Sequence, residues 1–144
     1  MARTIARPNL VDALFQLSFI LQGALGRIAA QHGLSVIQVR LLGILRDREP
    51  SMLELARYLE LEKSSLSGLV DRAQAQRLVE RIPSRDDRRV ANVCVTAQGR
   101  KLSAVVERQV TAEVEALVAA LPRPERARLA SLASRVVASS TSRS

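Results

Sequence analysis

The hydrophobic pattern of this chain changes period twice, and the changes mark its elements. From residue 9 apolar positions recur at helical spacing, with Leu10, Leu14, Leu17, Leu21, Leu25 and Ile28 on one stripe. Val11, Phe15, Phe19 and Ile20 widen that stripe beyond what one domain face needs. A surplus of this kind marks a partner-facing helix or a centrally buried one, and we favour the partner. Gln31-His32-Gly33 closes the helix, with the glycine suited to the left-handed position that ends many helices. Ser35-Val36-Ile37-Gln38 is a capping box that opens a second helix with Val39, Leu42 and Leu45 as core positions. After a polar break at residues 47–50, Ser51-Met52-Leu53-Glu54 is another capping box. It starts a short helix over residues 53–59, followed by a turn at 60–62 whose Leu61 packs inward. A further helix is predicted over residues 63–76.

Within that helix Leu66, Leu69, Val70 and Ala73 share one face, and Ser64, Gly68, Asp71 and Arg72 the other, with Ser67 at its edge. Small polar groups and one guanidinium suit a helix that enters the DNA major groove, where bulky apolar residues would hold the backbone off the base edges. The period then falls to two. Residues 78–83 and 90–96 read as strands, and Arg85-Asp86-Asp87-Arg88-Arg89 between them reads as a hairpin tip. An arginine at such a tip can reach a narrow minor groove, where the potential is most negative. Val93 and Val95 should face the core and Cys94 the wetter side. The helical period returns from residue 97 to 120, with Thr96 placed as its cap. Leu121-Pro122-Arg123-Pro124 breaks it, and Pro124 suits the first turn of a last helix. Residues 139–144 read as a frayed polar tail and residues 1–8, with Arg3 and Arg7, as a loose arm.

These fragments together describe a winged helix-turn-helix, and the stretch resembles the MarR (multiple antibiotic resistance regulator) family of transcription factors. The residues that carry the resemblance are Glu54-Leu55-Ala56, Leu69-Val70-Asp71-Arg72, Leu78-Val79-Glu80-Arg81, Asp87-Arg88-Arg89 and Val93-Cys94-Val95-Thr96 with Gly99. Arg77 stands where the family usually has a glycine, and Gly68 where it often has a polar or basic residue. The resemblance implies a mainly α fold with a small β-hairpin wing (α+β). Residues 1–33 would form an arm and a dimerisation helix, 34–97 the DNA-binding domain, and 98–144 the C-terminal dimerisation helices with their tail. It implies DNA contacts from Lys63, Ser64, Ser65, Ser67, Gly68 and Arg72 on the helix and from Arg85, Arg88 and Arg89 on the wing. Asp71 and Asp87 would support the wing. A lipophilic or phenolic effector would bind between dimer helices and winged domain, with Phe15, Phe19 and His32 as candidate contacts.

Charge agrees with a polyanionic partner: 22 basic against 14 acidic residues leave a formal +8. The scarcity of aromatic residues argues against single-strand binding, which stacks bases on aromatic platforms. One histidine and one cysteine leave no zinc cage and no internal disulfide. No paired carboxylates, nucleophile triad or phosphate-binding glycine loop appears, so no cofactor and no catalysis are expected. No apolar run approaches the roughly 18–20 residues of a membrane span, and a cytoplasmic location is expected. The expected partners are duplex DNA with a pseudo-palindromic operator, a second copy of the chain and a small-molecule effector. Two rival readings remain: an oxidant sensor working through Cys94, and a winged-helix protein-interaction module that binds no DNA.

Overall fold

The computed structural model describes residues 9–142. The predicted arm at residues 1–8 and the last two residues of the tail lie outside them. Among the described residues the order is α1 (Leu10–Gln31), α2 (Val36–Leu45), α3 (Met52–Leu59), α4 (Lys63–Ala75), β1 (Val79–Pro83), β2 (Ala91–Val95), α5 (Ala97–Leu117) and α6 (Arg123–Thr141). The architecture is thus mainly α with one antiparallel hairpin, as the pattern predicts. The chain divides into two compact units between Val110 and Thr111, within α5.

In the first unit each helix end has a local chemical cause. Asn9 accepts from the Val11 N–H at the start of α1, and Gly33, at φ +67°, takes the left-handed conformation after its end. Both capping boxes form: Ser35 with Gln38, and Ser51 with Glu54, each satisfying two otherwise orphaned N–H groups. The Thr96 hydroxyl accepts from the Gly99 N–H at 3.0 Å and donates to the Arg77 carbonyl at 2.7 Å, so it caps α5 and ties it to the end of α4. Glu62, before α4, supplies no side-chain cap.

The core sits between α2, α3, α4 and the hairpin. Leu41, Leu45, Leu55, Leu66, Leu69, Val70, Val79 and Val93 are fully buried in it. The four apolar positions predicted for α4 are all buried. Leu61 packs against the core as expected, as does Val39, which is only partly buried. Leu41 is a core residue that the pattern did not single out. β1 and β2 pair from Val79↔Val95 to Pro83↔Ala91, which turns Val93 inward and leaves Cys94 half-buried on the other face. Asn92 bridges Ser51, and the Val93 N–H donates to the Pro50 carbonyl, so the segment before α3 adds a rudimentary third strand.

Gly99 makes the joint between hairpin and α5 possible. A Cβ there would overlap the Leu78 carbonyl and lie 2.9 Å from both the Leu78 carbonyl carbon and Val95 Cγ2. Arg77, the last residue before this joint, adopts the left-handed conformation at φ 61° although it is not glycine.

Two expectations are corrected. α1 has 22 residues and is long and apolar enough, by length and composition, to cross a membrane. Gln16, Ser18, Gln22 and Gly23 break its apolar run, but an average over the helix tolerates them. Most of its apolar side chains are exposed in the single chain: Leu10, Val11, Leu14, Phe15, Phe19 and Ile20 are each more than half exposed. In the second unit the predicted frayed tail is helical as far as Thr141. The Ser139, Ser140 and Thr141 hydroxyls donate back to carbonyls three or four residues earlier, contacts that the helical backbone brings within reach. α5 ends at Leu117, three residues before the predicted limit. The turn that follows is closed by Arg126, whose guanidinium donates to the Leu121 and Ala119 carbonyls. α6 buries no residue, and its Leu129, Leu132, Val136 and Val137 are exposed.

Candidate nucleic-acid interface

Burial of Leu66, Leu69, Val70 and Ala73 turns the remaining positions of α4 outward. Lys63, Ser64, Ser65, Asp71 and Arg72 are exposed, and Ser67 and Gly68 partly so. The predicted polar face therefore exists as one continuous strip. The Arg72 guanidinium folds back over Gly68, where a Cβ would meet its Nη1 at 3.3 Å. A side chain at position 68 and the present placement of Arg72 thus compete for one space.

Asp71 is tied to the root of the wing rather than to its tip. Its Oδ1 accepts from Arg81 Nη2 at 2.8 Å, and Arg81 Nη1 donates to Gln74 Oε1 at 2.7 Å. One guanidinium on β1 thus clamps two residues of α4 and fixes the angle between helix and hairpin. Arg81 entered the sequence reading only as part of the family pattern, and Gln74 did not enter it. The spacing of Asp71 and Gln74, three apart, puts both on one helix face, but it does not name Arg81 as their partner.

At the tip Asp87 Oδ1 accepts from the backbone N–H and the Nε of Arg89, at 3.0 and 3.3 Å. The Val90 N–H donates to the Asp87 carbonyl and the Ser84 N–H to the Val90 carbonyl, which closes the loop. Asp87 supports the tip in this way. Arg85, Arg88 and Arg89 are exposed, and neither Arg85 nor Arg88 forms an ion pair with any described residue.

The candidate effector contacts do not form one site within the chain. Phe15 and Phe19 pair with their ring centroids 6.3 Å apart on the exposed part of α1. His32, at the other end of that helix, donates from Nε2 to Gln109 Oε1 at 2.7 Å. At about 1.5 Å rise per residue, some 20 Å separates His32 from Phe19. A cleft of about 200 Å³ does lie among Leu25 of α1, Val39 and Leu42 of α2, and Val106 and Val110 of α5, with Arg46 and Glu107 as polar groups. None of the three predicted residues lines it.

Cys94 is half-buried, with Glu80 Oε1 3.7 Å from its sulfur. Burial pushes the thiol above its ordinary range, and the charge and hydrogen bond of Glu80, then the charge of Glu49, push it further. A thiol held protonated is a poor nucleophile towards oxidants.

The sequence profile of the MarR family matches residues 32–90. No curated protein matches the sequence. Among solved structures the chain is similar to wild-type MarR from E. coli in its apo form, with a TM-score of 0.76 at 21% identity over 91% of this chain and 98% of that one. It is similar to the transcriptional repressor CouR bound to a 23-mer DNA duplex, with a TM-score of 0.77 at 22% identity over 90% and 92%. It is also similar to NadR in complex with 4-hydroxyphenylacetate, with a TM-score of 0.73 at 23% identity over 94% and 97%.

Proposed function

From a MarR-family winged helix at residues 32–90, in a chain with the MarR fold nearly throughout, we infer a dimeric, sequence-specific regulator of transcription that binds duplex DNA, most simply as a repressor. The observation that carries this reading is the polar strip of α4, free of large apolar side chains and clamped at a fixed angle to an arginine-bearing hairpin. In this reading α4 enters the major groove, and Ser64, Ser65, Ser67 and Gly68 with Arg72 meet base edges. Lys63, Arg85 and Arg89 hold phosphates, and Arg88 enters the adjacent minor groove. A two-fold dimer then meets half-sites about 34–36 Å apart or a multiple of that spacing.

In this reading the exposed apolar faces of α1 and α6 are the surfaces a second copy would cover, and their exposure supports a protein interface in a cytoplasmic dimer over a membrane span for α1. The cleft beside Leu25, Val39 and Val110 is the better effector candidate within one chain. It is smaller than the roughly 300–1,000 Å³ of drug-sized sites, so a one-ring ligand suits it. Phe15 and Phe19 could reach an effector only from a second copy. That NadR is complexed with a phenolic acid supports this ligand class.

The test uses duplexes selected from a random pool, measured across a salt series. Arg88→Ala should cost on the order of 1–3 kcal/mol per half-site and leave the recognition-helix consensus unchanged. Asp71→Ala should weaken binding although it removes a negative charge near DNA, because it frees Arg81 and with it the wing. Tighter binding by Asp71→Ala, or unchanged binding by Arg88→Ala, would sink the wing assignment. A salt-independent affinity would favour the protein-interaction reading.

A further inference from the structure

The winged unit has another concavity, of which the DNA reading uses Arg85 alone. It measures about 530 Å³ and gathers side chains from the end of α2, the turn after it, the wing, β2 and the start of α5. Arg46, Arg48, Arg85 and Arg100 line it with Asp47 and Glu49, so four cations meet two carboxylates. Glu107, which pairs with Arg46 at 2.9 Å, and Glu80, 3.7 Å from the Cys94 sulfur, stand at its edge, so the excess of cations belongs to the lining itself. Like charges gathered in a cleft focus their field instead of dispersing it.

Three of these guanidinium groups are held in place. Arg46 is fixed by Asp47 at 3.0 Å and by Glu107, and Arg100 Nη1 donates to the Arg46 carbonyl at 3.1 Å. Arg48 lies over the Tyr58 ring, 5.2 Å from its centroid. Groups already ordered lose less entropy when they bind an anion, and each guanidinium keeps further N–H donors in its planar fork. Arg85 is the fourth, reaching the cleft from the wing and forming no ion pair of its own among the described residues.

We propose that this cleft binds a small multivalent phosphate-type anion, and that the bound anion competes with DNA for Arg85. The first half stands on the cleft alone; the second rests on the proposed function, since it takes Arg85 as a DNA contact. Linkage then runs both ways, because an anion that weakens DNA binding is itself displaced by DNA to the same degree.

The cleft contains its own reporter. Cys94 is the single cysteine of the chain and lines the cleft, so alkylation by the uncharged reagent N-ethylmaleimide reads its occupancy. Mildly alkaline buffer offsets the raised thiol. Pyrophosphate, compared with sodium chloride at equal ionic strength, should slow alkylation about tenfold at ten times its dissociation constant. Arg100→Gln should abolish this protection with little change in melting temperature, and Arg48→Gln serves if the first variant melts early. Equal alkylation with and without pyrophosphate overturns the site. Protection by duplex DNA but not by pyrophosphate also overturns it and makes the cleft a contact for the DNA strand. The pyrophosphate arms use no DNA-binding readout and stand whether or not the regulator reading holds. For the second half, pyrophosphate should weaken operator binding by the wild type and not by Arg100→Gln. An equal effect on both would refute the competition.

Discussion

Gly99→Ala is the substitution for which opposing effects can be weighed most directly. Gly99 is the third residue of α5, where alanine would normally favour the helix by about 1 kcal/mol. Here the added methyl overlaps the Leu78 carbonyl, a backbone group that cannot rotate out of the way. That carbonyl also accepts from the Thr96 N–H at 3.0 Å, so relief of the clash strains a hydrogen bond worth about 1 kcal/mol. Overpacking against fixed atoms costs about 1–3 kcal/mol. The clash outweighs the propensity, and a net loss of roughly 1–3 kcal/mol is expected, out of a total stability of about 5–15 kcal/mol. With a urea slope of about 1–3 kcal/mol per molar, the midpoint should fall by about 1 M. Both proteins are compared at one concentration, because dimerisation would shift apparent stability. A midpoint equal to or above wild type would refute the close approach of α5 to Leu78.

Arg77→Gly should act in the opposite sense and stabilise by about 0.5–1 kcal/mol, since relief of the left-handed strain exceeds the added chain entropy; a lower urea midpoint would contradict the φ of 61°. Cys94→Ser should bind DNA as wild type and leave any oxidant response intact, and loss of that response on substitution would restore the sensor reading. The raised thiol also fixes a sign: its contribution to stability is present below the ordinary thiol range and is lost as pH rises through the raised value. Wild type should therefore lose stability faster than Cys94→Ser in alkaline denaturation series. Deletion of residues 125–144 should abolish dimerisation and lower solubility, which sedimentation checks; an unchanged dimer would remove α6 from the interface.

What the sequence made legible was mostly local. Ser35 with Gln38 and Ser51 with Glu54 lie three residues apart, and proximity along the chain alone predicts their hydrogen bonds. The buried face of α4 was readable because polar residues fill its other side. α2 was harder: Val-Ile-Gln-Val-Arg-Leu-Leu-Gly-Ile-Leu is apolar nearly all round, so its pattern could not rank Leu41 as a core residue. The partners of Asp71, His32 and Gln38 were beyond reach for a different reason. Arg81 is on another element, Gln109 is 77 residues from His32, and Gln76 is 38 from Gln38, so each pairing exists only after the chain has folded. The arginine cleft is likewise assembled from separate segments, none of which looks like a site alone.

The two ends of α4 are held very differently, and this sets the direction in which the helix loosens. At its C-terminal end Gln38, only 7% exposed, donates to Gln76 Oε1 at 2.6 Å, and Gln76 Nε2 reaches the Gly33 carbonyl at 3.5 Å. At its N-terminal end Glu62 offers no cap, so the first-turn amides of Lys63, Ser64 and Ser65 lack helical acceptors. Deuterium should therefore enter the helix from Lys63 inward and reach the amides beside Gln76 last. In the proposed reading a DNA phosphate beside Lys63 would supply the missing acceptors, and slower exchange confined to the first turn on binding the operator would be its signature.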